Sequence, residues 1–198
     1  MTSARRLCFT TNTSRLLPSA IAPSTGRPQR FLALHYASGM WYSPVAEIMR
    51  HPGTDVAVFD QVVSFVEDVG LTPIKIEQEQ PGYIINSQLL PLLNAALSLV
   101  VNGVSSYQDV DRTWLICNKG TPLGPIGALD RVGFEVFRNV LRMQAAAEPD
   151  NVQHQKNIDY LEEQFLSKGF TGALSGRGFY SYPNPEYLEP GFLKPSGC

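Results

Sequence analysis

Residues 30–55 read "RFLALHYASGMWYSPVAEIMRHPGTD", and the first half of the chain is organised around them. "FLALHYA" (31–37) has the period of a strand, with Phe31, Ala33 and His35 on one face and Leu32, Leu34 and Tyr36 on the other. "VAEIM" (45–49) reads likewise, with Val45, Glu47 and Met49 sharing a face. The loop "SGMWYSP" joins them, so the two strands lie side by side or meet at one end. An imidazole and a carboxylate, each set in an apolar run, then come within reach of one another. Two readings of that pair stay open on the residues alone. In the first, Glu47 fixes the tautomer of His35 and stabilises its protonated ring, as a general base requires. In the second, His35 is a satisfied core histidine and Glu47 pairs with Arg30 or Arg50.

Outward from this stretch the chain alternates. "LCFTTN" (7–12) reads as a short buried strand running into the polar turn "NTS", and "LPSAIAPSTGRPQR" (17–30) contains one short helix between its prolines. "TDVAVFDQVVSFVEDVG" (54–70) is a helix capped by Thr54 or Asp55 and closed by Gly70, with Val58, Val62, Phe65, Val66 and Val69 facing a sheet. "TPIKIEQE" (72–79) is a further strand. This is an α/β pattern.

After "QPG" the character changes to helices only. The first, 83–102, is apolar on nearly every side and is expected in the middle of a bundle, kinked at Pro91. A second covers 107–118 with Ser106 as its N-cap. A third covers 125–147 and buries Ile126, Leu129, Val132, Val136, Phe137, Val140 and Leu141, with Asp130 in its first turn. A fourth covers 152–168, carried by Ile158, Leu161 and Phe165. "GTPLGPIGALD" (120–130) and "SGRGFYSYP" (175–183) read as structural loops, and the aromatic, Gly- and Pro-rich tail as a strap.

Composition narrows the function. In 198 residues, 43% are hydrophobic and 17% charged, which suits a globular chain with a sizeable core. A net charge of -2 gives no electrostatic reason to expect nucleic acid or an anionic membrane. Cys8, Cys117 and Cys198 are scattered and odd in number, which argues for a reducing compartment and leads to a cytoplasmic expectation. The apolar run 83–103 carries Asn86, Gln88, Pro91 and Asn94, so a buried helix is expected rather than a membrane span. No G-x-G-x-x-G follows a strand, no Walker or G-x-S-x-G sequence is present, and no cluster has metal-ligand spacing.

Two further stretches are site candidates. "TNTS" (11–14) ends a strand in small polar residues, as α/β sheets do where they meet a ligand, although the residues alone favour an ordinary turn with Asn12 or Ser14 as a cap. "QPGYIIN" (80–86) sets Asn86 one turn into an apolar helix, where a buried amide needs a partner.

Taken together, the ordered set "TTNTSRLLPS", "GRPQRFLALHYA…AEIMRHPGTD", "EQPGYIINSQLLPLLNAAL" and "GRGFYSYPNP", with the weaker "DRTWLICNKGTPLGPIGALDRVG", resembles the NAD-dependent 3-hydroxyacyl-CoA dehydrogenase family from about residue 7 to residue 190. The resemblance implies an α/β part of a Rossmann-like NAD-binding domain over residues 1–80 and an all-helical, dimerising domain over 81–198, with the active site in the cleft between them. It implies His35 as the catalytic base, Glu47 as its orienting acid, Ser14 and Asn86 as contacts to the substrate oxygen, and Asn12, Ser14 and Ser38 on the cofactor side. Ser38 stands where the family usually has an asparagine. NAD as cofactor, an acyl-CoA as substrate and a homodimer follow from the same resemblance. The family's glycine-rich loop and first strands are expected upstream of residue 1. The alternative expectation is a non-catalytic helical dimerisation module that retains the site residues.

Overall fold

The computed structural model describes residues 7–36 and 43–193. The chain divides between Leu89 and Leu90 into two compact units. In the first, strands β1 (Phe9–Thr11), β2 (Phe31–Tyr36), β3 (Val45–Met49) and β4 (Thr72–Ile76) form one sheet in the order β1-β2-β3-β4. The sheet is mixed: β1 and β2 are parallel, β2 and β3 antiparallel, β3 and β4 parallel. Each parallel pair needs a crossover. Helix α1 (Pro18–Ile21) and two 3-10 turns supply the first, and helix α2 (Val56–Asp68) supplies the second.

The strand period distributes the core as the sequence predicts. Leu32, Leu34, Ala46 and Ile48 point to one face, where Val58, Phe59, Val62, Val63 and Val66 of α2 cover them. Ala33, Met49 and Ile76 point to the other, together with Tyr83. Each buried Val, Leu, Ile, Phe or Met side chain among them contributes roughly 1.5–3 kcal/mol by leaving water. The face of α2 differs from expectation at two places: Phe65 and Val69 are 50% and 52% exposed, and Phe59 and Val63 are buried instead. Of the two expected caps, Asp55 holds the N-cap position, without a side-chain bond, and the Thr54 hydroxyl donates to Phe31 O at 2.9 Å. Gly70, at φ 79, closes the helix as predicted.

Helix α3 (Tyr83–Val101) runs from the first unit into the second. Only Tyr83, Leu93, Ala96 and Leu97 of its apolar residues are buried, and Ile84 and Leu99 are 40% and 43% exposed, so the expectation of a helix enclosed on all sides does not hold among the described residues. In the second unit α4 (Tyr107–Cys117) starts as predicted, Ser106 Oγ accepting from Asp109 N at 3.1 Å. The single helix expected over 125–147 is two, α5 (Pro125–Val132) and α6 (Phe134–Ala147). Gly133, at φ 87 and ψ 138, leaves helical geometry, and Phe134 N turns to Thr171 O. Val136 is 58% exposed rather than buried. Helix α7 (Val152–Gln164) ends at Gln164, with a 3-10 turn over Leu166–Lys168 completing the predicted span. Its Asn157 donates to Asn94 Oδ1 and Ser98 Oγ of α3, at 2.8 and 2.9 Å.

Asp130 lies in the last turn of α5, not in the first turn of a helix. It is 1% exposed and accepts hydrogen bonds from Phe179 N and Tyr180 N, both at 2.9 Å, and from the Tyr182 hydroxyl at 3.2 Å. Asp111 of α4 does the same for the start of α5, accepting from Ile126 N, Gly127 N and the Tyr180 hydroxyl. One glycine in each loop is there for close approach. A Cβ on Gly124 or on Gly178 would come within 2.3 Å of the Asp111 or the Asp130 carboxylate. The two loops are therefore the clasp that ties α4 and α5 to the strap.

Burial pushes the Asp130 carboxyl up to about 6 against the pull of its amide donors, and the Asp111 charge adds to the rise. A folded-state value above the unfolded one means that its contribution is complete below about pH 4 and is lost as pH rises through about 6. The stability of the wild type relative to Asp130→Asn, measured by urea unfolding, is expected to fall by a few kcal/mol between pH 4 and pH 7. A flat or rising difference contradicts this.

Candidate active site

The antiparallel register sets His35 directly opposite Glu47. His35 is 5% exposed and Glu47 is fully buried. Cross-strand neighbours on one face have side chains in contact range, and His35 Nδ1 lies 2.8 Å from Glu47 Oε2. A carboxylate only accepts, so Nδ1 carries the proton and the neutral ring has its lone pair on Nε2. Of the two readings open in the sequence, the Glu47–arginine pairing is not the one adopted. Arg50 lies over the Phe59 ring, 5.6 Å from its centroid, and Arg30 Nε donates to Leu7 O.

The second oxygen of Glu47 is also engaged. Ile84 N and Ile85 N, the second and third amides of α3, donate to Oε1 at 2.8 and 2.9 Å. These are the amides that an N-cap side chain normally accepts. Residues 80–82, "QPG", offer no such side chain, and the carboxylate of β3 takes its place. The positive end of α3 then faces the Glu47 charge. The sequence carried a signal for this that went unread: a helix start without a cap and a buried acid without a partner, each answering the other.

Tyr83, also not singled out in the sequence, packs its ring on the His35 imidazole with centroids 4.6 Å apart and planes 26° apart. Burial, with the negative charges of Glu47 and Glu79, pushes its phenol up to about 12, so it stays protonated and is no proton donor near neutral pH. Asn86 lies one residue past the Ile85 amide and is half-buried. At the carboxyl end of β1, Asn12 Oδ1 accepts from Tyr36 N at 3.1 Å, which ties the "NTS" turn to the strand end that carries His35. Within that turn the cap-like acceptor is Thr13, whose Oγ1 receives Arg15 N and Leu16 N, rather than Asn12 or Ser14. Ser14 is exposed. Ser38 lies outside the described residues.

A glutamine at position 47 has one carbonyl oxygen, enough for the α3 amides or for His35 but not both. Glu47→Gln is expected to lower the unfolding free energy by roughly 2–4 kcal/mol, read from urea midpoints near neutral pH. Unchanged stability would show that the carboxylate does not hold these donors together.

Comparison with known proteins agrees with this architecture. Residues 2–80 match the family described as 3-hydroxyacyl-CoA dehydrogenase, NAD binding domain, and residues 82–182 match 3-hydroxyacyl-CoA dehydrogenase, C-terminal domain. The human mitochondrial hydroxyacyl-coenzyme A dehydrogenase is 29% identical over 180 residues, covering 91% of this chain and 56% of the relative. The fatty acid oxidation complex subunit alpha of Idiomarina loihiensis is 32% identical over 174 residues, covering 88% of this chain and 23% of the relative. The chain thus spans about half the length of the mammalian relatives it matches. A solved diketoreductase structure superposes with a TM-score of 0.77 at 39% identity, covering 88% of this chain and 59% of that one. The chain belongs to the 3-hydroxyacyl-CoA dehydrogenase family.

Proposed function

We propose that the chain serves 3-hydroxyacyl-CoA dehydrogenase chemistry, with His35 as the group that takes the proton of the substrate's 3-hydroxyl. The single observation that supports this most is the 2.8 Å contact of His35 Nδ1 with buried Glu47, which leaves the Nε2 lone pair as the base. As Nε2 gains the proton and the substrate's C–O bond becomes a carbonyl, the Glu47 carboxylate stabilises the imidazolium across the same contact. Ser14 and Asn86 are proposed to hold the substrate oxygen, so that orientation contributes alongside basicity. Hydride acceptance from C3 is the chemistry that NAD would supply when bound. Asn12, Ser14 and Ser38 are the residues proposed to hold its nicotinamide end. A polar turn at the carboxyl edge of the parallel pair β1–β2, with Asn12 fixed to Tyr36, suits such a group.

A second reading of the substrate is favoured by the diketoreductase likeness. A 3-oxoacyl-CoA and a free dicarbonyl compound share a carbonyl two bonds from another, and the same dyad serves both. We further propose a homodimer through the helical region, supported by the exposed apolar side chains of α3 and by the groove of about 490 Å³ that Leu92, Leu99, Val110 and Trp114 help to line. Sedimentation at micromolar concentration should give a dimer; a monomer removes this part. We propose a cytoplasmic location, supported by the free thiols of Cys8 and Cys117; localisation of the tagged chain to an oxidising compartment would remove it.

The test is NADH consumption by the purified chain with acetoacetyl-CoA and, separately, with a free dicarbonyl ester. His35→Ala is expected to cut turnover of either substrate by about 10²–10⁴ with the folded spectrum unchanged. Near-normal turnover in His35→Ala removes His35 from the mechanism. The absence of both turnover and saturable NADH binding at millimolar concentration favours the non-catalytic dimerisation module.

A further inference from the structure

The Tyr83 ring is held where a large side chain is least at home. Its backbone is in the left-handed region, at φ 56, directly after Gly82 at φ 85. For an aromatic residue that conformation is a strained outlier, kept only where the surroundings fix it. Three contacts fix it here. Tyr83 N bonds to Gln80 O, the next two amides are bound by Glu47, and the ring is enclosed with Ala33, Met49 and Ile76. The hydroxyl is not what holds the ring, since Oη is buried and finds no hydrogen-bond partner among the described residues. What the geometry delivers is the ring face, laid on the His35 imidazole.

We infer that Tyr83 is a positioning residue for His35: its ring closes the face of the imidazole and confines it to the plane in which Nδ1 meets Glu47 and Nε2 is presented to the substrate. A hydrogen bond to Nδ1 alone leaves the ring able to rock about the Nδ1–Oε2 line, and a stacked neighbour removes that freedom. The same left-handed turn aims Ile84 N and Ile85 N at Glu47, so one backbone feature orients both members of the pair. The phenol, protonated near neutral pH, adds no competing acid. The inference rests on His35 being the proton acceptor, and the test separates the two claims.

The test compares Tyr83→Phe, Tyr83→Leu and Tyr83→Asn in the full chain by NMR of the His35 ring protons and by steady-state turnover. A stacked aromatic face displaces those proton signals upfield. Tyr83→Phe keeps the ring and should keep both the displacement and kcat within about twofold. Tyr83→Leu should lose the displacement and lower kcat about tenfold or more, with KM for the acyl-CoA within about twofold. Tyr83→Asn tolerates the left-handed backbone and gives the same reading should the leucine variant not fold. Unchanged His35 signals in the folded Leu or Asn variant overturn the inference, as does unchanged kcat beside a lost displacement. A wild type that shows the displacement but no turnover overturns the dehydrogenase reading; the spectra of the variants then decide the clamp alone.

Discussion

The structure of the first unit depends on one carboxylate having nowhere to go but into three donors. Glu47 is fully buried in the middle of β3. An isolated charge there would be prohibitively costly, and only a full set of hydrogen bonds makes it tolerable. It finds one donor across the sheet in His35 and two along the chain in the first turn of α3. These contacts join β2, β3 and the start of α3. The chemistry proposed for the site uses the same atoms, so packing and reactivity are one constraint here.

The second unit repeats the device with different residues. Asp111 accepts the second and third amides of α5, as Glu47 accepts those of α3, and in both cases a glycine, Gly124 or Gly82, stands where a capping side chain would be. Asp130 accepts a further pair, Phe179 N and Tyr180 N. A capping serine satisfies a helix start locally and says nothing about the rest of the fold. A carboxylate brought from another element satisfies the same amides only when that element is in place. It therefore makes each helix start or strap turn report on long-range assembly.

This explains which parts of the molecule were legible in the sequence. Strand faces follow a period of two, and so Ala33 and His35 could be separated from Leu32 and Leu34 by inspection; the register that sets His35 opposite Glu47 is a long-range pairing that the strand period alone does not give. Ser106 was legible because its partner is three residues away. The partners of Asp111 and Asp130 lie 15 to 69 residues away, and no local rule reaches them. The break at Gly133 was hidden for a related reason, since the bond from Phe134 N to Thr171 O that accompanies it comes from the strap. Tyr83 was read as the first residue of an apolar helix, because a left-handed φ is not expected of an aromatic side chain. For Asn12 and Ser14 the residues alone favoured an ordinary turn capped by one of them, and Thr13 supplies the acceptor instead.

Glu47 locks His35 as the Nδ1–H tautomer inside the sheet. Nitrogen-resolved NMR of the imidazole in the purified chain measures this directly near neutral pH. The account predicts a proton on Nδ1, shifted far downfield and slow to exchange with water, that disappears in Glu47→Gln. A ring with its proton on Nε2, or an Nδ1 proton exchanging as fast as that of a surface histidine, would contradict it.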